Sequence, residues 1–494
     1  MGYLLNHPDT IASFIAVNSL GAVWSCCSPD FGVESIVNRF GQLKPSLLLA
    51  HQKYSYNGKK FDQEDKINQL QRFLPSLKKT ILFDSSFDNW NLNSNYWIDY
   101  EFESVNFDHP LWVLFSSGTT GKPKAITHST GGILLEQYKS LSLHQNIVSG
   151  DRFFWNTTTG WMMWNYAIGS FLCGAVLCLY DGSANFPDIG VQWRFAKEAK
   201  INHFGNGSPL FIASMKQDID DVNDKDLKFI KTIGATGSPL SVKAFKWLQK
   251  KLPKAQIISL SGGTDVCSAF IGGCSKLPVY AGFLQCNMLG ASIQAWDENG
   301  KNIKGETGEL VITEPMPSMP IYFWGDHDFK KYHNSYFVKN PGVWTHGDWI
   351  YIDDLKGVLM QGRSDATLNR NGIRIGTSEI YSALDSVSEI KDSLIIDLNT
   401  DNSSKLILFV ESENELNQNL KNKINEVIKN KCSPRHTPNL IFSISQIPYT
   451  ISGKKMEIPI KKILLGQNID DVVSKGAMRN PECIDDFLKL KVNI

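Results

Sequence analysis

A chain of 494 residues exceeds one ordinary hydrophobic core, so two or more domains are expected. Its 50 basic and 50 acidic residues cancel, and 42% hydrophobic with 20% charged residues is a soluble globular composition, with no electrostatic basis for nucleic-acid or membrane-surface binding. Nine scattered cysteines, without a CxxC pair or a Cys/His cluster at zinc spacing, point to reduced thiols in the cytoplasm.

The first residues carry no basic segment, and Asn6, His7, Asp9 and Asn18 interrupt any apolar core, so no secretory signal is expected here. Gly2-Tyr3-Leu4-Leu5 reads as a strand end. Pro8 opens a helix whose apolar face holds Ile11 and Ile15 and which stops at Gly21. Residues 22–27 read as a strand, and Ser28-Pro29-Asp30-Phe31-Gly32 as the turn before a helix carrying Ile36, Val37 and Phe40. Residues 45–50 are a strand, 51–69 a polar loop plus helix, and 81–83 a strand; residues 84–108 show no clear periodicity.

Residues 111–115 (LWVLF) form a short apolar run that reads as a buried strand. Ser116-Ser117-Gly118-Thr119-Thr120-Gly121 follows, closed by Lys122, Pro123 and Lys124. Such a loop suits a polyphosphate: glycines admit close backbone approach, successive N–H groups form an anion nest, and hydroxyls and lysines meet phosphate oxygens. It is not a Walker A loop, because Pro123 stands where Ser or Thr must follow Gly-Lys. Beyond it, 130–143 read as a helix, 153–157 as a strand, 165–174 as an apolar helix and 175–180 as a strand, and the apolar stretch 166–180 is short of a membrane span. The alternation continues to about residue 262 and predicts a parallel or mixed sheet covered by helices. From 290 to 313, short strands with glycine turns suggest a small β subdomain. The polar, glycine-flanked stretch 362–376 reads as a junction, with a boundary near Asp365. After it come strands at 394–398, 406–410 and 440–444 and a helix with Leu416, Leu420, Ile424, Val427 and Ile428 on one face.

The string SSGTTGKPK resembles the signature loop of the adenylate-forming superfamily, which includes acyl-CoA synthetases, luciferases and peptide-synthetase adenylation domains. Five further stretches match that superfamily in order. The resemblance implies that Gly237, Ser238 and Pro239 pack on adenine, that Thr264 of Gly262-Gly263-Thr264-Asp265 contacts the α-phosphate, and that Asp265 holds magnesium where a glutamate is usual. It implies that Asp348 and Arg363 hold the ribose, that Asp365 is a hinge, that Arg374 approaches the phosphates, and that Lys454 is the adenylation lysine. Taken singly, each has a plainer reading: a turn at 237–239, a turn cap at Asp348, an interdomain ion pair at Arg363, a solvated face around Lys454.

Trp161, after Gly160, resembles the tryptophan lining the acyl pocket of short-chain acyl-CoA synthetases, with Met163 beside it; core packing is the other reading of Trp161 and Trp164. Acetate-using members place a second tryptophan where Gly262 stands, so this pocket is expected to take a longer acyl group. SPDFG, TTTGWMMWNYAIGSFLCGA and TISGKKMEIPIKKIL resemble the acetoacetate-using branch. Members of that branch carry a longer N-terminal region, so a shortened form is also implied. The expected fold is α/β, with a large multi-subdomain adenylate-forming domain at 1–364 and a small mobile α+β domain at 365–494. The expected activity is ATP- and Mg2+-dependent ligation of acetoacetate to coenzyme A in the cytosol, with no nucleic-acid partner and no membrane span. Another short-chain acyl-CoA synthetase, or a truncated non-catalytic nucleotide-binding form, are the alternatives.

Overall fold

The computed structural model describes residues 1–84, 101–116, 123–364, 368–370, 373–375, 377–400, 403–413, 415–451 and 453–490. Two compact units result: Met1–Ser116, Pro123–Ser292 and Glu314–Ser335 form the first, and Ile293–Thr313 with Tyr336–Ile494 the second. The region 293–313 therefore groups with the C-terminal part of the chain, and the junction expected near residue 365 falls within the second unit.

In the first unit, one parallel sheet is ordered Cys26–Cys27, Gly2–Tyr3, Leu47–His51, Lys79–Phe83. Helix Pro8–Ser19 follows its first strand, with Pro8 in the first turn and the His7 side chain accepting from Asp9 N. Of the loop and helix expected over 51–69, the loop is a hairpin, Lys53–Tyr56 against Lys59–Asp62, and the helix is Glu64–Phe73. Asn57-Gly58 turns the hairpin with both residues at positive φ, the geometry that this dipeptide favours.

The second sheet is also parallel, ordered Val176–Leu177, Arg152–Trp155, His203–Gly207, Thr232–Thr236, Gln256–Ser259. The expected strand at 175–180 pairs only over Val176–Leu177, and the expected helix at 165–174 is Met162–Ile168 continued by a 3-10 turn. Trp193, stacked on Phe204 with 4.5 Å between ring centroids, sits at the centre of a core with Phe154, Phe211 and Ile233. Gly205 pairs with Trp155 on one side and Gly234 on the other. A Cβ on Gly205 would lie 2.1 Å from the Trp155 ring and one on Gly234 2.6 Å, so the indole occupies a slot made by two glycines.

Two antiparallel sheets complete this unit: Tyr322–Phe323, Ala125–Ser129, Pro110–Phe115; and Ser261–Gly263, Ser268–Gly272, Cys286–Asn287. Helix Thr130–Tyr138 starts where the Ser129 hydroxyl accepts from Gly132 N, and its end widens to a π turn over Lys139–His144.

The second unit holds the expected β region as a five-stranded antiparallel sheet: Asn302–Ile303, Ile293–Trp296, Thr307–Ile312, Trp344–Ile352, Val358–Arg363. Its C-terminal part is built on Ile390–Thr400, Ser403–Ser412 and Leu440–Ser443. Helix Gln418–Lys431 buries Leu420, Ile424 and Ile428 against Leu408 and Val410, as the spacing predicts. Helices Glu457–Leu464 and Ile484–Leu490 contribute Ile460, Ile463 and Phe487 to a second cluster with Leu394, Ile396 and Phe409. Among the described residues, no helix is long and apolar enough to cross a membrane.

Candidate active site

The glycine and hydroxyl-rich loop leaves and rejoins neighbouring strands of one antiparallel pair. Phe115 lies opposite Ala125, and Ser116 N donates to Lys124 O at 3.3 Å. Ser117, Gly118, Thr119, Thr120, Gly121 and Lys122 lie outside the described residues. Ser116, at the entry, has a buried hydroxyl with no hydrogen-bond partner among the described residues.

Lys124, at the exit, reaches Asp265: Nζ is 3.0 Å from Oδ1. The same ammonium lies 5.5 Å from the Phe323 ring centroid. His128 Nε2 donates to Asp265 O at 2.9 Å, so the ring carries its proton there, and the buried Nδ1 has no partner among the described residues. Burial pulls the His128 pKa from 6.5 to about 4, outweighing the opposite pull of the Asp265 carbonyl and charge. Tyr332, whose hydroxyl donates to Pro320 O, is raised to about 12 by burial first and by the Asp265 charge second.

These groups meet segments leaving the C-terminal ends of parallel strands, where ligands of such sheets bind. Strand Thr232–Thr236 runs into Gly237-Ser238-Pro239, an exposed turn with Gly237 at φ +85°. A Cβ on Gly237 would come 3.9 Å from Trp161 Cζ2, which places the turn beside the indole. Strand Gln256–Ser259 leads into Ser261–Gly263 and then Thr264 and Asp265. Thr236 Oγ1 donates to Leu260 O at 2.8 Å and Ser208 Oγ to Ser238 O at 2.6 Å, which fix the two segments.

A small pocket opens here, with Thr264, Trp161, Phe31, Arg39, Asn165 and Phe115 in its wall. Trp161 lines it as the sequence suggests. Met163 does not; helix Met162–Ile168 turns it into the core with Phe153, Trp155 and Tyr166, and Met162 takes the pocket position. Gly262 is not in the wall either. A Cβ there would lie 1.9 Å from Ser268 O and 2.6 Å from Ala269 Cα, at a bulge in the strand pair. Close backbone approach thus accounts for this glycine.

In the second unit, Asp348 and Arg363 face each other across adjacent strands, with Oδ1 and NH1 3.7 Å apart. Gly347, at φ +89°, would bring a Cβ within 3.2 Å of that guanidinium. Lys454 sits on a tight turn: Gly453 is at φ +80°, Thr450 N donates to Lys454 O, and Lys454 N donates to Thr450 Oγ1 at 3.0 Å. Its side chain is exposed, whereas Lys455 is tied to Asp392 at 2.7 Å over the Tyr381 ring. Arg374 lies in strand Ile373–Ile375, opposite Asn369. Asp365 lies outside the described residues.

Sequence reasoning brought Ser116, Lys124, Trp161, the 237–239 turn, Thr264 and Asp265 into one region of the first unit, and Asp348 with Arg363 in the second. It passed over Arg39, Asn165 and His128. A signal existed for two of them: Arg39 falls on the apolar face at 36, 39, 40 and 43, and Asn165 interrupts the apolar run 161–169.

Residues 2–323 match the family described as AMP-binding enzyme. The acetoacetyl-CoA synthetase of Mus musculus is 37% identical, covering 98% of this chain and 75% of that protein. The acetoacetyl-coenzyme A synthetase of Rhizobium meliloti (strain 1021) is 38% identical, covering 98% and 77%. The solved structure of acetoacetyl-CoA synthetase from Streptomyces lividans superposes with a TM-score of 0.93 at 41% identity, over 100% of this chain and 77% of that one. That of the anthranilate CoA ligase AuaEII in complex with anthranoyl-AMP gives 0.78 at 18% identity, over 94% and 86%, which is a likeness of fold.

Proposed function

The chain belongs to the AMP-binding enzymes, and from that premise we propose that it joins acetoacetate to coenzyme A at the expense of ATP. The acetoacetate carboxylate attacks the α-phosphorus of ATP, giving acetoacetyl-AMP and pyrophosphate. The coenzyme A thiol then attacks the acyl carbon, giving acetoacetyl-CoA and AMP. The observation that carries this reading is the likeness to acetoacetyl-CoA synthetases along nearly the whole chain.

A carboxylate is a weak nucleophile facing an anionic phosphate, so the barrier falls mainly through positioning and charge neutralisation. We assign the loop from Ser116 to Lys124 to the phosphates, the 237–239 turn to adenine, Asp348 and Arg363 to the ribose, and Thr264 to the α-phosphate. Trp161 borders the acyl group. Lys454 serves the first half-reaction, with Arg374 as a second phosphate ligand and Asp365 as the pivot of the domain from 365 onward.

Asp265 fits a magnesium site. It is a hard oxygen donor, partly open with a 17% exposed side chain, and it already holds the Lys124 cation. Magnesium takes one or two protein carboxylates and fills its shell from phosphates and water. When bound, it offsets phosphate charge. All nine cysteines are free thiols, which suits a reaction in the cytosol.

Pyrophosphate exchange into ATP, with magnesium and with acetoacetate, acetate or butyrate, tests the reading. Exchange strongest with acetoacetate is expected. A folded, ATP-binding sample that exchanges with none of the three acids would refute it.

A further inference from the structure

Two hydrogen-bond donors in the pocket wall have no role in the steps above. Asn165, on helix Met162–Ile168, is 2% exposed, and its buried amide nitrogen has no hydrogen-bond partner among the described residues. Arg39, on helix Val33–Leu43, is 5% exposed. Its NH1 donates to Ser35 O at 2.7 Å, and its guanidinium lies 4.6 Å from the Phe31 ring centroid. No carboxylate lies within ion-pair distance of it among the described residues. A buried cation whose partners are one carbonyl and a ring face, and a buried unpaired amide in the same wall, are each costly unless an acceptor meets them. Such a wall is matched by a ligand that brings a hydrogen-bond acceptor.

Thr264 lines the same pocket, so an acyl group whose carboxylate is joined to the α-phosphate reaches this wall with its distal atoms. A 3-oxo acid has one further acceptor, two carbons from the carboxyl carbon. We propose that Asn165 and Arg39 bind the 3-oxo oxygen of the acyl group and so select a 3-oxo acid over the saturated acid of equal length. The inference rests on the acetoacetate reading above. A ketone oxygen has two lone pairs and can accept from both side chains. Butyrate puts a methylene in that place and leaves both buried donors unpaired. A site built to hydrogen-bond a polar group rejects the analogue lacking it far more strongly than a greasy pocket rejects a missing methylene.

The test is the ratio of kcat/KM for acetoacetate over butyrate, measured by pyrophosphate exchange on the full chain. The wild type is expected to favour acetoacetate by about 100-fold or more. Asn165→Leu and Arg39→Met should each lower that ratio by about 30-fold or more, through acetoacetate rather than butyrate. Asn165→Asp keeps the shape and replaces the donor by an acceptor. It should lower the ratio likewise, and it decides the matter if Asn165→Leu does not fold. A wild type that treats the two acids alike would sink the acetoacetate reading and this proposal with it. A wild type that prefers acetoacetate, with folded variants that keep the preference, would sink the proposal alone.

Discussion

Lys124 and Asp265, 141 positions apart in the chain, meet as an ion pair with 3.0 Å between Nζ and Oδ1. The contact joins the exit of the Ser116–Lys124 loop to the segment that carries Thr264. His128 holds the same segment by its backbone, donating to Asp265 O from the adjoining strand. Asp265 is thus held by its side chain and by its backbone from two residues of one strand region.

Asp265→Ala should slow pyrophosphate exchange by about 100-fold or more, the range for losing one preorganised charge-stabilising group. It should also raise the magnesium concentration giving half-maximal rate. A variant with wild-type rate and wild-type magnesium dependence would refute the proposal that Asp265 holds magnesium.

Lys454 and Lys455 are neighbours with different surroundings, one exposed on its turn and one fixed to Asp392. Lys454→Ala should reduce acyl-AMP formation by at least about 100-fold. Thioester formation from supplied acetoacetyl-AMP and coenzyme A should continue. Parallel loss of both half-reactions would count against confining Lys454 to adenylation.

Gly262→Ala places a methyl 1.9 Å from Ser268 O, against backbone that cannot rotate away. The expected cost is about 3 kcal/mol, seen as a melting temperature lowered by roughly 6 °C or more. A variant that melts like the wild type but shifts its acyl preference would show that the strand yields and that position 262 bounds the pocket.

His128 is neutral and buried, with a folded pKa of about 4 against 6.5 unfolded. The unfolded chain therefore binds the extra proton between those values. Stability is complete above pH 6.5 and lost as pH falls toward 4, by about 3 kcal/mol over the window. His128→Gln keeps an N–H for the Asp265 carbonyl and does not titrate. Urea midpoints at pH 7.5 and 4.5 should fall further for the wild type than for this variant; parallel falls would assign the acid sensitivity elsewhere.

The sequence shows most clearly what local chemistry dictates. Alternating apolar runs marked the parallel strands, and the Leu420-Ile424-Ile428 spacing marked a helix found in its place. The nine residues of the loop read as a phosphate site from their chemistry alone, and six of them lie outside the described residues. Side-chain direction was less legible. Met163 and Met162 are adjacent and chemically alike, and helix rotation alone sends one to the core and the other to the pocket. Gly262 carries no sign of its bulge, because the clash that requires it comes from Ser268, on the far side of a turn. Arg39 is a charged residue that tertiary packing buries beside Phe31, and charge normally argues for a solvated position.

The slot that Gly205 and Gly234 provide for Trp155 constrains how this sheet can change over generations. Neither glycine can acquire a side chain while the indole is in place, since a Cβ would begin 2.1 Å from the ring at Gly205 and 2.6 Å from it at Gly234. The tryptophan, by contrast, can shrink first and leave only a void. The order of substitution is therefore one-way: a lineage must lose the large residue before either small one can grow. Until then the three positions, on three neighbouring strands, are inherited as a single character, and Trp155 ends the strand that leads directly to the 156–161 segment and its pocket tryptophan.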